Sequence, residues 1–348
     1  MQITSEEKDK SLRNPLIGTV PDVINLLRST ARPIDLSQRP LWPGLMAIAF
    51  DWSVIVLAIT AMRFVPWWGH PFLLLVVAAR QHALLILMHD ASHFLLCRNK
   101  RVNELLSDFF CAFPFLLTTR SYRANHLAHH DHLNTPEDPD LVRKVGPSGE
   151  PEEWLFPLPL HRFALLLFQD VMGKGFLYVL KNVRKLSRNA QTAPRAKAEY
   201  PWANAIRLGY FAGAGVLLLV SGHAWFILYA WLIPLFLILP AILRLRSVAE
   251  HFALPKNHIL NESRDYKPRW WEAFLLAPHH VGMHLDHHLF PYVPWYRLPE
   301  LHRRLLAADE YRVHAHINDG YVVGQRSVMA DVGSVVDDPR IALEAGRL

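Results

Sequence analysis

The sequence predicts an all-α integral membrane protein: four transmembrane helices in two hairpins, with a cytoplasmic helical cap that carries clustered histidines. Three observations predict it. Four apolar runs have spanning length, the tight links within the paired runs carry no Lys or Arg, and histidines recur at helical spacing in the polar segments between and after them.

The runs come in order. LMAIAFDWSVIVLAITAMRFV (45–65) and PFLLLVVAARQHALLILM, extended to a span of about 71–92, form a first pair; residues 203–222 and 224–243 form a second. Each matches the roughly 20 residues that cross a bilayer. The links PWWGHP and SGHA within the pairs carry no Lys or Arg, whereas Arg98, Lys100, Arg101, Arg120, Arg123, Arg184, Lys185, Arg188, Arg244 and Arg246 lie at the other ends. By the positive-inside rule, both termini and the large loops are cytoplasmic. Topology thus accounts for the formal net charge of +6, and a nucleic-acid footprint is not called for.

Residues 1–42 are polar and Pro-containing, unlike a signal peptide. The membrane domain runs over 43–317, with cytoplasmic lobes at 99–200 and 244–317, and a polar tail with little core is expected over 318–348. In the first lobe, 105–117 and 163–180 are too short or too interrupted to span and suit interfacial helices. Cys97 and Cys111 form no CxxC site and read as small buried hydrophobes. Asp51 and Arg80 fall in the inner half to middle of the first two proposed spans. Ionisable groups at that depth are costly, so they read as a buried pair or as a contact for the substrate headgroup.

The chain has 20 histidines. HDASH supplies His89 and His93, HLAHH supplies His126, His129 and His130, RSVAEH supplies His251, and HLDHH supplies His284, His287 and His288. At roughly 100° per residue, positions i, i+3 and i+4 share one helix face, so HxxHH aims three imidazoles into one cavity. All four motifs lie beyond the same ends of the spans. Nine converging imidazoles exceed what one metal takes and point to two. Imidazole suits several transition metals and does not by itself choose the element. Asp90, Glu250 and Asp286 stand beside these histidines and are candidates to orient their rings. The other eleven histidines, including His132 and His280, are not assigned as ligands.

On HDASH, YRANHLAHHDHLNTPEDPDL, RSVAEH and HLDHHLFPYVPWYRLPELH, the chain over roughly 45–305 resembles the integral-membrane fatty acid desaturase and hydroxylase superfamily. The resemblance implies that the nine histidines hold a non-haem di-iron centre, and that O2 is reduced there to oxidise an unactivated C–H bond of a fatty acyl chain. Ser247, four residues before His251, departs from the Asn of some acyl-CoA desaturases and sets the chain nearer a bacterial-type branch, which implies a bacterial inner membrane. Desaturation is the first outcome the resemblance implies. Decarboxylation of a free fatty acid to a 1-alkene, and hydroxylation or ketolation of a lipid or carotenoid, use the same ligand set. Electrons are expected from a separate donor of ferredoxin, rubredoxin or cytochrome b5 type, with Arg120 and Arg123 meeting an acidic donor or phospholipid headgroups. A membrane metal transporter is the rival from another class, disfavoured because its ligands should line a path through the bilayer.

Overall fold

The computed structural model describes residues 20–145, 152–177, 180 and 199–337. Arg184, Lys185 and Arg188, residues 1–19 and residues 338–348 lie outside them. Between turns and loops, the regular elements of the described residues are helices apart from two two-residue strands, Asp265–Tyr266 and Ile317–Asn318, which pair in parallel.

Four helices are long and apolar enough to cross a membrane: Leu41–Ala61, Trp67–Ser92, Ala203–Val220 and Ala224–His251. The first starts earlier than the apolar run does, because Pro40 caps it in an extended conformation and Pro43 lies in the first turn, where a proline's missing N–H costs nothing. Trp42, Phe50 and Leu57 are exposed along it, as befits side chains facing acyl chains. No residue of the third span is buried. The second span is the central one. It packs against the first, and every residue from Val77 to Ser92 is buried. The fourth continues past its apolar run, so that His251 ends the helix itself instead of following it.

Among these central residues, Asp51 and Arg80 form a buried pair, with Arg80 Nη1 3.0 Å from Asp51 Oδ1. Arg80 also donates to the Phe274 carbonyl and lies over the Phe274 ring. The second Asp51 oxygen is 2.7 Å from His279 Nε2.

Helix Val20–Ala31 lays Val23, Leu27 and Ala31, four residues apart, onto Leu301 and Leu305. The segment from Asn318 onward corrects the expectation of a polar tail. Tyr321, Val328 and Val332 are buried against Phe252 and Tyr266, with Val328 and Val332 one turn apart on a short helix. The apolar residues are too few there to show a long period, yet these three find the core while Val322, Val323 and Val336 stay exposed. Arg123, expected at a docking surface, is buried instead. Its guanidinium is 2.7 Å from Glu104 Oε2, donates to the Ser92 carbonyl and lies over Phe94. Cys97 and Cys111 are free and buried.

Candidate metal centre

Each histidine motif is delivered by a helix end. His89 occupies the last turn of the second span and His93 caps it. Helix Thr119–Asp131 is started by Thr118, whose hydroxyl accepts from Ser121 N, a preferred N-cap residue, and it carries His126, His129 and His130 in its last two turns. His251 ends the fourth span, and the six-residue helix His284–Leu289 carries the remaining three. A helix that short is not stable alone. Asp265 Oδ1 accepts from its Leu285 and Asp286 N–H groups, at 2.9 and 3.4 Å.

The nine side chains meet in two groups. One gathers His89, His93, His126, His130 and His287; the other gathers His129, His251 and His288, with His284 joining through His251 and Glu250. Their Nε2 atoms face one another: His93 to His126 2.8 Å, His126 to His130 3.1 Å, His129 to His251 3.2 Å, His251 to His284 3.1 Å and His284 to His288 3.2 Å. Nε2 of His89 and of His287 is buried with no hydrogen-bond partner.

A metal fits this arrangement on three grounds. Two imidazole nitrogens bound at right angles, with bonds of about 2.1 Å, lie about 3 Å apart, which is the spacing found. The opposite ring nitrogens meet oxygen acceptors: His89 Nδ1 is 3.1 Å from Asp90, His129 Nδ1 2.9 Å from Asp138, and His251 Nδ1 3.4 Å from the Glu262 carbonyl. With the proton on Nδ1 of both His129 and His251, their Nε2 lone pairs point at each other at 3.2 Å, and a cation between them makes that favourable. Finally, burial followed by the charge of neighbouring rings holds His126, His284, His287 and His288 well below the usual imidazole range. Burial and then Arg123 push His93 down to about 3. These rings are neutral at physiological pH, as ligands must be.

Of the acidic neighbours, Asp90 meets His89 and also accepts from Trp295 N at 3.2 Å. Glu250 is 3.5 Å from His284 Nδ1 and accepts from Arg246 Nε at 2.6 Å. Asp286 does not orient a ring of either group. It points away from the centre, to Tyr311 Oη at 2.6 Å and His302 Nδ1 at 3.0 Å, which also meet Asp265. Burial lowers the His302 pKa, but the hydrogen bonds and charge of Asp265 and Asp286 prevail and raise it to about 10. Sequence reasoning missed Asp138, whose Asp-Pro signature announces only the helix it caps, Pro139–Val145. His132 and His280 lie outside both groups.

An all-α membrane protein whose buried histidine groups can coordinate metal is thereby defined. Residues 65–319 match the family model for fatty acid desaturase, and the chain belongs to that family of membrane di-iron oxidoreductases. It is 27% identical over 266 residues to a dihydrorhizobitoxine desaturase of Bradyrhizobium elkanii, covering 73% of each chain. It is 26% identical to a human sphingolipid delta(4)-desaturase/C4-monooxygenase, over 76% of this chain and 75% of that protein. A beta-carotene ketolase of a Paracoccus species is 25% identical, over 62% of this chain and 72% of the ketolase.

Proposed function

We propose that this chain is an O2-dependent fatty acid desaturase whose nine motif histidines hold two irons: His89, His93, His126, His130 and His287 around one, and His129, His251, His284 and His288 around the other. The observation that carries the reading is the facing set of Nε2 lone pairs, anchored from behind by Asp90, Asp138 and the Glu262 carbonyl. When bound, the irons supply the reduction of O2 and the removal of hydrogen from an unactivated C–H bond. The protein's own part is to fix the rings, keep them neutral and exclude water. The reaction balances as CH2–CH2 plus O2, two electrons and two protons giving CH=CH and two waters, with the electrons drawn from an external ferredoxin, rubredoxin or cytochrome b5 type donor.

In this reading the spans form two hairpins in a bacterial inner membrane, and both termini and the histidine centre face the cytoplasm, where Arg244 and the other basic residues at the span ends lie. The relatives' names include ketolase and monooxygenase, which favours hydroxylation or ketolation as the second reading. Oxidative decarboxylation of a free acid is a further outcome of the same chemistry.

Gas chromatography with mass detection on lipids and headspace of an expressing host, beside a His287→Ala control, tests this. A new unsaturated acyl species absent from the control is expected. A volatile alkene one carbon shorter, or hydroxylated or ketolated lipid, would replace desaturation with that outcome. No iron and no oxygen-dependent product would overturn the enzyme assignment.

A further inference from the structure

Arg80 and Arg246 both lie within spans, and their surroundings differ. Every partner of Arg80 belongs to the scaffold: Asp51, the Phe274 carbonyl and the Phe274 ring. Arg246 is on the fourth span, five residues before His251 and so about 7.5 Å from it along the helix axis. Its Nε donates to Glu250, which is 3.5 Å from His284 Nδ1. Its charge also reaches the Tyr122 side chain, whose ring stacks on His126 with centroids 5.3 Å apart and stands edge-on to His89 at 6.4 Å. The guanidinium, 12% exposed, is held by Glu250 and lies near Tyr122, two side chains that each touch a different histidine group. His82 lies within the field of Arg246. It is seven residues before His89, on the same face of the second span, and both its ring nitrogens are buried without a hydrogen-bond partner.

A carboxylate drawn to bilayer depth needs a cation and hydrogen-bond donors to replace water, and a guanidinium offers them as a planar fork. Glu250 takes the Nε edge and balances the charge while no other anion is present. The Nη edge and His82 then have donors to give to a second anion. Arg80 has both Nη groups committed, to Asp51 and the Phe274 carbonyl, which leaves it no free fork and only a buried Nε without a partner.

We propose that Arg246, with Tyr122 and His82, holds the carboxylate of a free fatty acid beside the metal centre, so that the carbon oxidised lies within a few bonds of that carboxylate. This rests on the reading of the centre as a fatty acyl oxidase and narrows its substrate to the unesterified acid.

The test is equilibrium binding of radiolabelled dodecanoate and dodecanol to the purified, iron-loaded protein in detergent. Arg246→Gln should weaken dodecanoate binding about tenfold or more, the worth of a charged hydrogen bond, and dodecanol binding less than about twofold. Iron content should stay at the wild-type level, and Arg246→Lys should restore part of the acid binding. Equal loss for acid and alcohol, no loss for the acid, or wild-type protein that prefers the alcohol would each overturn the proposal. Should Arg246→Gln fail to load iron, Tyr122→Phe decides: a smaller loss confined to the acid supports the assignment, and an equal or absent loss rejects it. Failure of the underlying reading shows separately, as wild-type protein without iron and without an oxygen-dependent lipid product.

Discussion

A central and a peripheral cluster of histidines both bring potential ligand atoms within reach of one another, and their chemistry is opposite. In the central one, Nδ1 of His89, His129 and His251 each faces an oxygen that can only accept. In the peripheral one, formed by His258, Glu310 and His314, the backbone N–H of Leu260 donates to His258 Nδ1 at 3.1 Å. That bond occupies the Nδ1 lone pair and places the ring hydrogen on Nε2, which faces Glu310 at 3.3 Å. The His258 and His314 rings stack nearly parallel, 4.4 Å apart, instead of converging. Three potential ligand atoms within reach of one another do not make a metal site. The back side of each imidazole decides whether its front side can bind one.

The comparison breaks most visibly at the ligands. His129→Ala or His287→Ala should abolish iron loading and product formation together, an effect beyond the 10–100-fold loss typical of a second-layer partner. Iron per chain by plasma mass spectrometry and lipid product by gas chromatography check this, and a variant retaining full iron and turnover would sink the ligand assignment.

Next in size is the carboxylate behind His129. Asp138 Oδ1 and Oδ2 lie 2.9 and 3.0 Å from His129 Nδ1, so Asp138→Ala removes the acceptor that fixes the tautomer while leaving all nine rings in the chain. Iron affinity or turnover should fall about 10–100-fold. The same measurement on Asp286→Asn sharpens the point, because Asp286 holds the helix through His302 and Tyr311 and touches neither group. Its loss should lower thermal stability ahead of iron affinity, and the reverse order would contradict the contacts described.

What the sequence reveals of this site follows from what is local. Apolar runs of spanning length and imidazoles at i, i+3 and i+4 are properties of a single helix, so the four spans and the nine motif histidines are readable in advance. The partners behind the rings are not. Asp138 returns to His129 across a loop, and Glu262 reaches His251 through a backbone carbonyl, a group every residue possesses. Asp286 is adjacent to His287 in sequence yet points to the opposite side of its helix, into a network completed by Asp265 and Tyr311. Arg123 carries the composition of a surface residue, but Glu104 neutralises it in the interior. Adjacency and charge type mislead wherever a tertiary contact decides the direction of the side chain.

The smallest effect belongs to the peripheral cluster. His258→Ala removes the buried member of the His258, Glu310 and His314 group and should leave iron per chain and product yield unchanged. Added zinc should bind the variant and the wild type alike. Glu310 is partly exposed and its pairing with His258 and His314 is correspondingly weak, so lost electrostatics account for at most about 1 kcal/mol. The packing of a ring that is 8% exposed adds a separate cost, which His258→Gln, keeping much of the volume, should reduce. If His258→Ala instead lost a zinc ion that wild-type protein retains through gel filtration, the Leu260 N–H would not be holding the His258 lone pair as described. The tautomer rule drawn from the two clusters would then fail at the point where it separates them.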